Sequence, residues 1–297
     1  MALVDAIVVG GGPAGLTAAT YLRRFLRSCV VLDAGFSRAR YIPESHNCPG
    51  FPQGVSGRAL LGRLRAQAES VETEIVEACV DRLERTDEGF VIGAGERTWQ
   101  ARCVMLATGL ADRLPEVDWA EDAIARGALR LCAICDAYEA SDQRIGVYGP
   151  ARALLGHARF LRSYSARVAL LPADRAPGRD ALRKARRLGM EVLPAGGALE
   201  FDGARCRYRA PDGTRTGFDT VYPYLGYAGR NVLLRGLGLP AEDDGALRVD
   251  RHQRTRVPGL YAIGDVVSGL NQISVAVGQA AVAATHAHNA LPFAPRG

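Results

Sequence analysis

The sequence has no long apolar run. No stretch approaches the ~18 uninterrupted apolar residues that a membrane-crossing helix needs, so no membrane partner is expected. It also lacks charge imbalance: 37 Lys and Arg against 32 Asp and Glu leave +5 over 297 residues, a mild excess that points to no nucleic acid. The densest basic cluster, residues 183–187, reads as the solvated face of a helix. A leader pattern is missing as well, because the first residues, MALVDAIVVG, already read as a strand; the expected location is the cytoplasm. There is no cysteine framework. The count is seven, and Cys29, Cys48, Cys79, Cys103 and Cys206 are scattered, which fits small buried apolar side chains. In such a compartment a disulfide would be catalytic rather than structural.

What is present is a globular composition, 48% hydrophobic and 23% charged, in a chain long enough for two domains. Residues 6–9 form an apolar β run that meets a glycine cluster at 10–15. A helical pattern follows with Leu16, Ala19, Tyr21, Leu22 and Phe25, and then residues 29–32 make a second strand closed by Asp33. Strand, glycine turn, helix, strand and acid constitute a βαβ unit. Ser56 can cap a helix over about 57–70, with Leu60, Leu61, Leu64 and Ala68 on one face. Further β signals lie near 76–85, 89–93 and 97–102, and a separate strand at 103–106 ends at Ala107-Thr108-Gly109.

The layout then repeats. Residues 145–148 are β-prone, Gly149 breaks the run, Leu154, Leu155, Ala158, Phe160 and Leu161 fit a helix, and 167–171 is the next strand, an offset of about 139 residues from Gly10 to Gly149. Residues 259–265 end another strand, and 273–289 are helical. The reading is an α/β chain with two Rossmann-like, three-layer ββα dinucleotide-binding domains, the second inserted in the first. The first spans 1–113 and 245–297 and the insert 114–244, with crossings near Leu114-Pro115 and Asp243-Asp244-Gly245.

Gly10-x-Gly12-x-x-Gly15 has dinucleotide spacing in the right strand–turn–helix context. Gly10 permits the tight turn, Gly12 lets backbone approach a pyrophosphate, and Gly15 lets helix and strand pack closely. Free N–H groups and the positive end of the helix would meet the phosphates. Asp33 is placed for a ribose hydroxyl.

Cys132-Ala133-Ile134-Cys135-Asp136 carries the sharpest chemical signal. Two residues between cysteines allow a small disulfide, a helix start would lower a thiol pKa, and the adjacent carboxylate can shuttle protons. Taken alone, the motif could be half a zinc site. That needs a second Cys/His pair at suitable spacing, and none stands there, so no metal is expected. Two incidental cysteines remain the plain alternative.

Met105-Leu106-Ala107-Thr108-Gly109 resembles the ATG strand end of two-dinucleotide flavoproteins, residues 259–265 resemble their second flavin motif, and Asn271-Gln272-Ile273 resembles the segment that closes over the isoalloxazine. The whole chain resembles the low-molecular-weight thioredoxin reductase family of FAD/pyridine nucleotide-disulfide oxidoreductases. The resemblance implies FAD, held by Gly10, Gly12, Pro13, Ala14, Gly15, Asp33, Ala34, Asn47, Ala107, Thr108, Gly109, Gly264, Asp265, Asn271, Gln272 and Ile273. It implies that Cys135 faces the flavin, that Cys132 exchanges with the partner, and that Asp136 is the general acid/base. It further implies a homodimer through the FAD domain and an insert that rotates between flavin and partner.

One segment departs from the family. Where a GxGxxA turn is expected, the chain reads Gly149-Pro150-Ala151-Arg152-Ala153-Leu154. Pro150 lacks an N–H and Ala151 puts a methyl where pyrophosphate must approach. Asp174, in Pro172-Ala173-Asp174-Arg175, stands where a basic cluster would grip the NADPH 2′-phosphate. Weak or absent NADPH use is expected, and with it other electron partners: a thioredoxin-like protein or small dithiol or disulfide on one side, ferredoxin or O2 on the other. A dithiol oxidase running in the opposite direction, and a non-catalytic flavin-binding module, are the competing readings. His286 and His288 read as surface histidines, with a role near a neighbouring subunit's flavin as the alternative, and His46 is a substrate-side candidate.

Overall fold

A central strand buried on both faces must be apolar along its length. The strand β1 (Leu3–Val9) satisfies this at its C-terminal end, where Ala6, Ile7, Val8 and Val9 are all buried. In the computed structural model, which describes residues 3–229, 233, 237, 239, 246–267, 269–293 and 295, contacts divide the chain into two compact units.

Unit 1 comprises Met1–Arg40, Gly57–Ala111 and Ala228–Gly297. After β1 come α1 (Pro13–Arg24), β2 (Cys29–Asp33), α2 (Gly57–Glu69), β3 (Glu74–Glu77), β4 (Arg82–Thr86), β5 (Gly89–Ala94) and β6 (Arg97–Leu106); β16 (Leu260–Ala262) and α7 (Ile273–Ala290) close the unit. The sheet order is β3-β2-β1-β6-β5-β4, with β16 also paired to β6. Strands expected separately at 97–102 and 103–106 are one. The first half of β6 pairs antiparallel with β5, and the second half runs parallel between β1 and β16. The change from half-exposed Arg97-Thr98-Trp99-Gln100 to buried Cys103-Val104-Met105-Leu106 mimics a boundary in sequence.

On one face of the sheet α1 lies against α7, and the contact is built from Ala14, Ala18 and Ala19 against Ala276, Ala280, Ala283, Ala284 and Ala287. Alanine on both sides lets two helices approach closely without losing helix propensity. On the other face Phe90, Ile92 and Ala94 of β5 cover Ile7, Val30 and Leu32. Cys29 and Cys103 flank Ala6 from the two neighbouring strands, and both are buried. Burial pushes the Cys103 thiol up to about 12 and that of Cys29 further.

The end of α7 is tied down by a buried cation. Arg27 is 6% exposed; its guanidinium donates to His288 Nδ1 (3.1 Å), the His288 carbonyl (3.0 Å) and the Pro292 carbonyl (2.9 Å). These carbonyls have no intrahelical donor, so the side chain acts as a C-cap. Replacing Arg27 with Met leaves them unpaired. The expected loss is about 3 kcal/mol, read from chemical denaturation.

Unit 2 comprises Tyr41–Ser56 and Asp112–Tyr227. Between β7 (Leu110–Asp112) and β15 (Tyr227–Gly229), which pair with one another where the chain passes between units, lie α3 (Ala120–Ala125), α4 (Ala133–Asp136), β8 (Ile145–Gly149), α5 (Ala151–Leu161), β9 (Val168–Pro172), α6 (Arg179–Arg187), β10 (Glu191–Val192), β11 (Ala198–Phe201), β12 (Cys206–Arg209), β13 (Arg215–Phe218) and β14 (Thr220–Pro223). A parallel sheet of order β10-β9-β8-β14 and an antiparallel sheet β11-β12-β13 form its frame. The expected spans 1–113 with 245–297, and 114–244, differ from this division in two places. Residues 41–56 group with unit 2, where the Tyr41 hydroxyl donates to Glu121 Oε1 at 2.9 Å, and the second passage falls at Tyr227–Ala228. The linker Asp243-Asp244-Gly245 lies outside the described residues. Among the described residues no helix is long and apolar enough to cross a membrane.

Candidate active site

Four strand ends converge in unit 1. The Gly10 amide donates to the Leu32 carbonyl (2.8 Å), that of Ala107 to Val9 (2.9 Å), and that of Ile263 to Leu106 (2.9 Å). These bonds bring the glycine turn, the Ala107 strand end and the Gly264 motif together. Gly10 sits at φ +114°, and a Cβ there would lie 2.4 Å from the Ala107 carbonyl oxygen. A Cβ on Gly15 would lie 1.9 Å from the Gly10 oxygen, so helix and strand touch backbone to backbone. Around Gly12 the nearest atom to an added Cβ is Ser37 Oγ at 3.3 Å, leaving the space above the turn open. Gly264 packs against Ala14, whose Cβ would be 3.0 Å from its own, and the Gly264 amide donates to Gln279 Oε1 at 2.7 Å.

Among the described residues no side chain caps the N-terminus of α1, and no acid stands in its first turn. An uncapped helix start over an open glycine is the arrangement an anionic pyrophosphate requires, so these residues fit a dinucleotide. Asp33 Oδ1 accepts from the Gly11 and Gly35 amides, both at 3.1 Å, while Oδ2 meets Arg65 Nη2 at 3.2 Å. Asp265 Oδ2 meets Arg38 Nη1 at 3.3 Å. Arg65, Ser37, Arg38 and Gln279 carry no motif, and sequence reading passed over them.

Unit 2 repeats this frame with different side chains. The Tyr224 amide donates to the Tyr148 carbonyl (2.8 Å) as Ala107 does to Val9, and a Cβ on Gly149 would lie 2.6 Å from the Tyr224 oxygen as one on Gly10 would from that of Ala107. Tyr224 therefore occupies the position of Ala107. Its ring stacks on His157 of α5, centroids 3.4 Å apart and planes at 10°. Ala151 stands at the position of Gly12. Its amide donates to Asp174 Oδ1 at 2.9 Å, so the protein's own carboxylate takes the helix-start donor that a phosphate would use. The bond to Ala151 holds the Asp174 carboxyl below its ordinary value.

Cys132 and Cys135 are joined in a disulfide at the start of α4, with Cα atoms 5.3 Å apart. Cys132 is the N-cap, and the Cys135 amide donates to its carbonyl (3.0 Å) and its Sγ (3.2 Å). The sulfurs are half-buried, and Ile134 and Tyr138 beside them are exposed. Asp136 follows, its side chain 12% exposed; Oδ1 accepts from the Tyr222 hydroxyl at 2.8 Å and Oδ2 meets Arg130 Nη1 at 3.2 Å. Burial pushes the carboxyl above its ordinary value, opposed by the Arg130 charge and the Tyr222 hydrogen bond. Neither Arg130 nor Tyr222 was legible as a partner, although Arg130 stands two residues before the motif.

Other expected residues are scattered over both units. Asn47 groups with unit 2, accepting from Ser45 Oγ at 3.0 Å, and His46 meets Glu44 at 3.2 Å. Ala34, Thr108, Gly109, Asn271, Gln272 and Ile273 are half-buried in unit 1. His286 bonds the Tyr261 hydroxyl at 2.9 Å and packs on His252, and His288 is held by Arg27 and stacked on Phe25, so both are engaged within their own unit. Among the described residues no group of three or more His, Cys, Asp or Glu is placed to hold a metal.

The family model for pyridine nucleotide-disulphide oxidoreductases matches residues 4–280. Thioredoxin reductase of Mycolicibacterium smegmatis is 30% identical over 277 residues, covering 89% of this chain and 88% of that protein. The solved structure of HlmI is 28% identical with a TM-score of 0.89, covering 97% of this chain and 92% of that one. Thioredoxin reductase from Streptococcus pyogenes shares the fold, with a TM-score of 0.88 at 24% identity over 97% of this chain and 98% of that one. The chain thus belongs to the pyridine nucleotide-disulphide oxidoreductase family, as an FAD-dependent disulfide oxidoreductase of thioredoxin reductase type.

Proposed function

We propose that the protein exchanges electrons between FAD and a dithiol or disulfide through Cys132 and Cys135, and that a pyridine nucleotide is not its working partner. The observation that carries the second half is the bond from the Ala151 amide to Asp174, in a turn that already lacks the Pro150 donor. Cofactor contacts are assigned to the glycine turn Gly10 to Gly15, Asp33, Ala107 and the Gly264–Asp265 motif. Bound there, FAD supplies a two-electron acceptor or donor. The partner is a thioredoxin-like protein or a small dithiol or disulfide. A cytoplasmic homodimer belongs to the same proposal, resting on family resemblance.

A second reading shares that support. With no nucleotide to donate electrons, the reaction can run from dithiol to O2, a dithiol and O2 giving a disulfide and H2O2; ferredoxin as donor would serve the opposite direction. Stopped-flow mixing under anaerobic conditions tests the nucleotide claim. NADPH and NADH should leave the flavin absorbance nearly unchanged, and Asp174→Ser should gain at most about tenfold in NADPH affinity because Pro150, Ala151 and Tyr224 remain. Rapid reduction by micromolar NADPH would overturn it. Oxygen uptake driven by a dithiol would select the oxidase direction.

A further inference from the structure

We infer that Arg130 and Tyr222 are positioning residues that set the proton affinity of Asp136 and, through it, the proton traffic of the Cys132–Cys135 pair. The inference rests on the proposal that these cysteines are the redox pair.

Asp136 closes α4 one residue after Cys135, and its two oxygens are held from two sides. Tyr222, fully buried on β14, donates to Oδ1 at 2.8 Å. Arg130, two residues before Cys132, places Nη1 3.2 Å from Oδ2. Among the described residues the buried Nε of Arg130 has no hydrogen-bond partner. The contact that Arg130 makes from Nη1 is to the carboxylate. Among the described residues the remaining charged or titratable groups around Asp136 are Glu139, which adds negative potential, and Tyr224, stacked on His157 of α5. The joined sulfurs carry no charge.

Exchange needs Asp136 in both protonation states in succession. The carboxylate takes the proton of the Cys132 thiol; the thiolate attacks a sulfur of the partner disulfide, that S–S bond breaks, and Asp136 gives its proton to the leaving thiolate. It then takes the Cys135 proton. That thiolate attacks Cys132 in the mixed disulfide, the second partner thiolate leaves, and Asp136 protonates it. One disulfide and two enzyme thiols become two partner thiols and the Cys132–Cys135 bond, with Asp136 unchanged. Oxidation of a dithiol is the same sequence reversed. A group that accepts and releases a proton at each step works best with an affinity near ambient pH. Burial strengthens the hold on the proton, and the cation and phenol oppose burial.

The test follows the carboxyl itself. Full-length protein with its flavin is titrated by difference infrared spectroscopy, subtracting Asp136→Asn, so that the protonated carboxyl stretch of Asp136 is isolated. Arg130→Gln should move its midpoint upward by about one pH unit, about tenfold in proton affinity. Tyr222→Phe should move it the same way by less, and Arg130→Lys should return it toward wild type. The pH profile for opening of the disulfide by dithiothreitol, read by alkylating the freed thiols, should shift in the same order. Midpoints of Arg130→Gln and Tyr222→Phe that coincide with wild type would overturn the inference. If Arg130→Gln does not fold, Tyr222→Phe decides by the same criterion. A wild-type disulfide that dithiothreitol leaves closed at every pH would overturn the redox-pair assignment instead, while the infrared midpoints still report on the three residues.

Discussion

Cys135→Ser protein mixed anaerobically with excess dithiol should keep its flavin absorbance, while the wild type loses it. The expected difference in rate is more than about a hundredfold, about 2.7 kcal/mol in barrier. A serine oxygen cannot close the S–S bond whose reduction to two thiols takes up two electrons, so removing one member of the pair removes the whole two-electron couple rather than half of it. The substitution changes one half-buried atom and leaves the Cys135 amide bonded to the Cys132 carbonyl at 3.0 Å, so α4 should survive it. Thermal melting within a few degrees of wild type would confirm that chemistry alone was lost. Equal bleaching of the two proteins would take the pair out of the electron path.

Gly15→Ala and Gly12→Ala should fail differently, although both alter one glycine turn. At Gly15 the new methyl would stand 1.9 Å from a backbone oxygen, which no rotamer can relieve, so α1 must leave β1. We expect a loss of about 3 kcal/mol together with the flavin. At Gly12 the methyl meets Ser37 Oγ at 3.3 Å, which a small shift accommodates, and otherwise points into open space. That protein should fold with near-normal stability and yet be purified without colour, because the methyl stands where phosphate must approach. Flavin content by absorbance and stability by denaturant separate the two cases. A yellow Gly12→Ala protein would show that the dinucleotide does not lie over this turn.

Local encoding explains how much could be read in advance. The strand, glycine turn, helix and second strand of unit 1 are specified by residues within one short segment, and Gly10, Gly12, Gly15 and Asp33 stand together as their spacing requires. The degraded turn at Gly149 was equally visible, but the work of Asp174 was not. Its sequence position suggested repulsion of a 2′-phosphate, whereas its carboxylate reaches back 23 residues to the Ala151 amide. Tyr222 lies 86 positions from Asp136, and nothing local to either announces the bond. The Tyr224–His157 stack likewise depends on β14 returning beside β8. The union of residues 97–106 into one strand was hidden by a change from polar to apolar composition that reflects which neighbours each half meets.

The cysteines outside the pair bear on the enzyme's endurance. Cys29, Cys48, Cys103 and Cys206 are buried, and desolvation keeps each protonated, Cys206 with its thiol pushed up to about 12; Cys79 is the exposed one. Peroxide attacks thiolates, so these four sulfurs are poor targets at neutral pH. Peroxide made by a flavin that reduces O2 would find Cys79 as the one exposed thiol outside the pair.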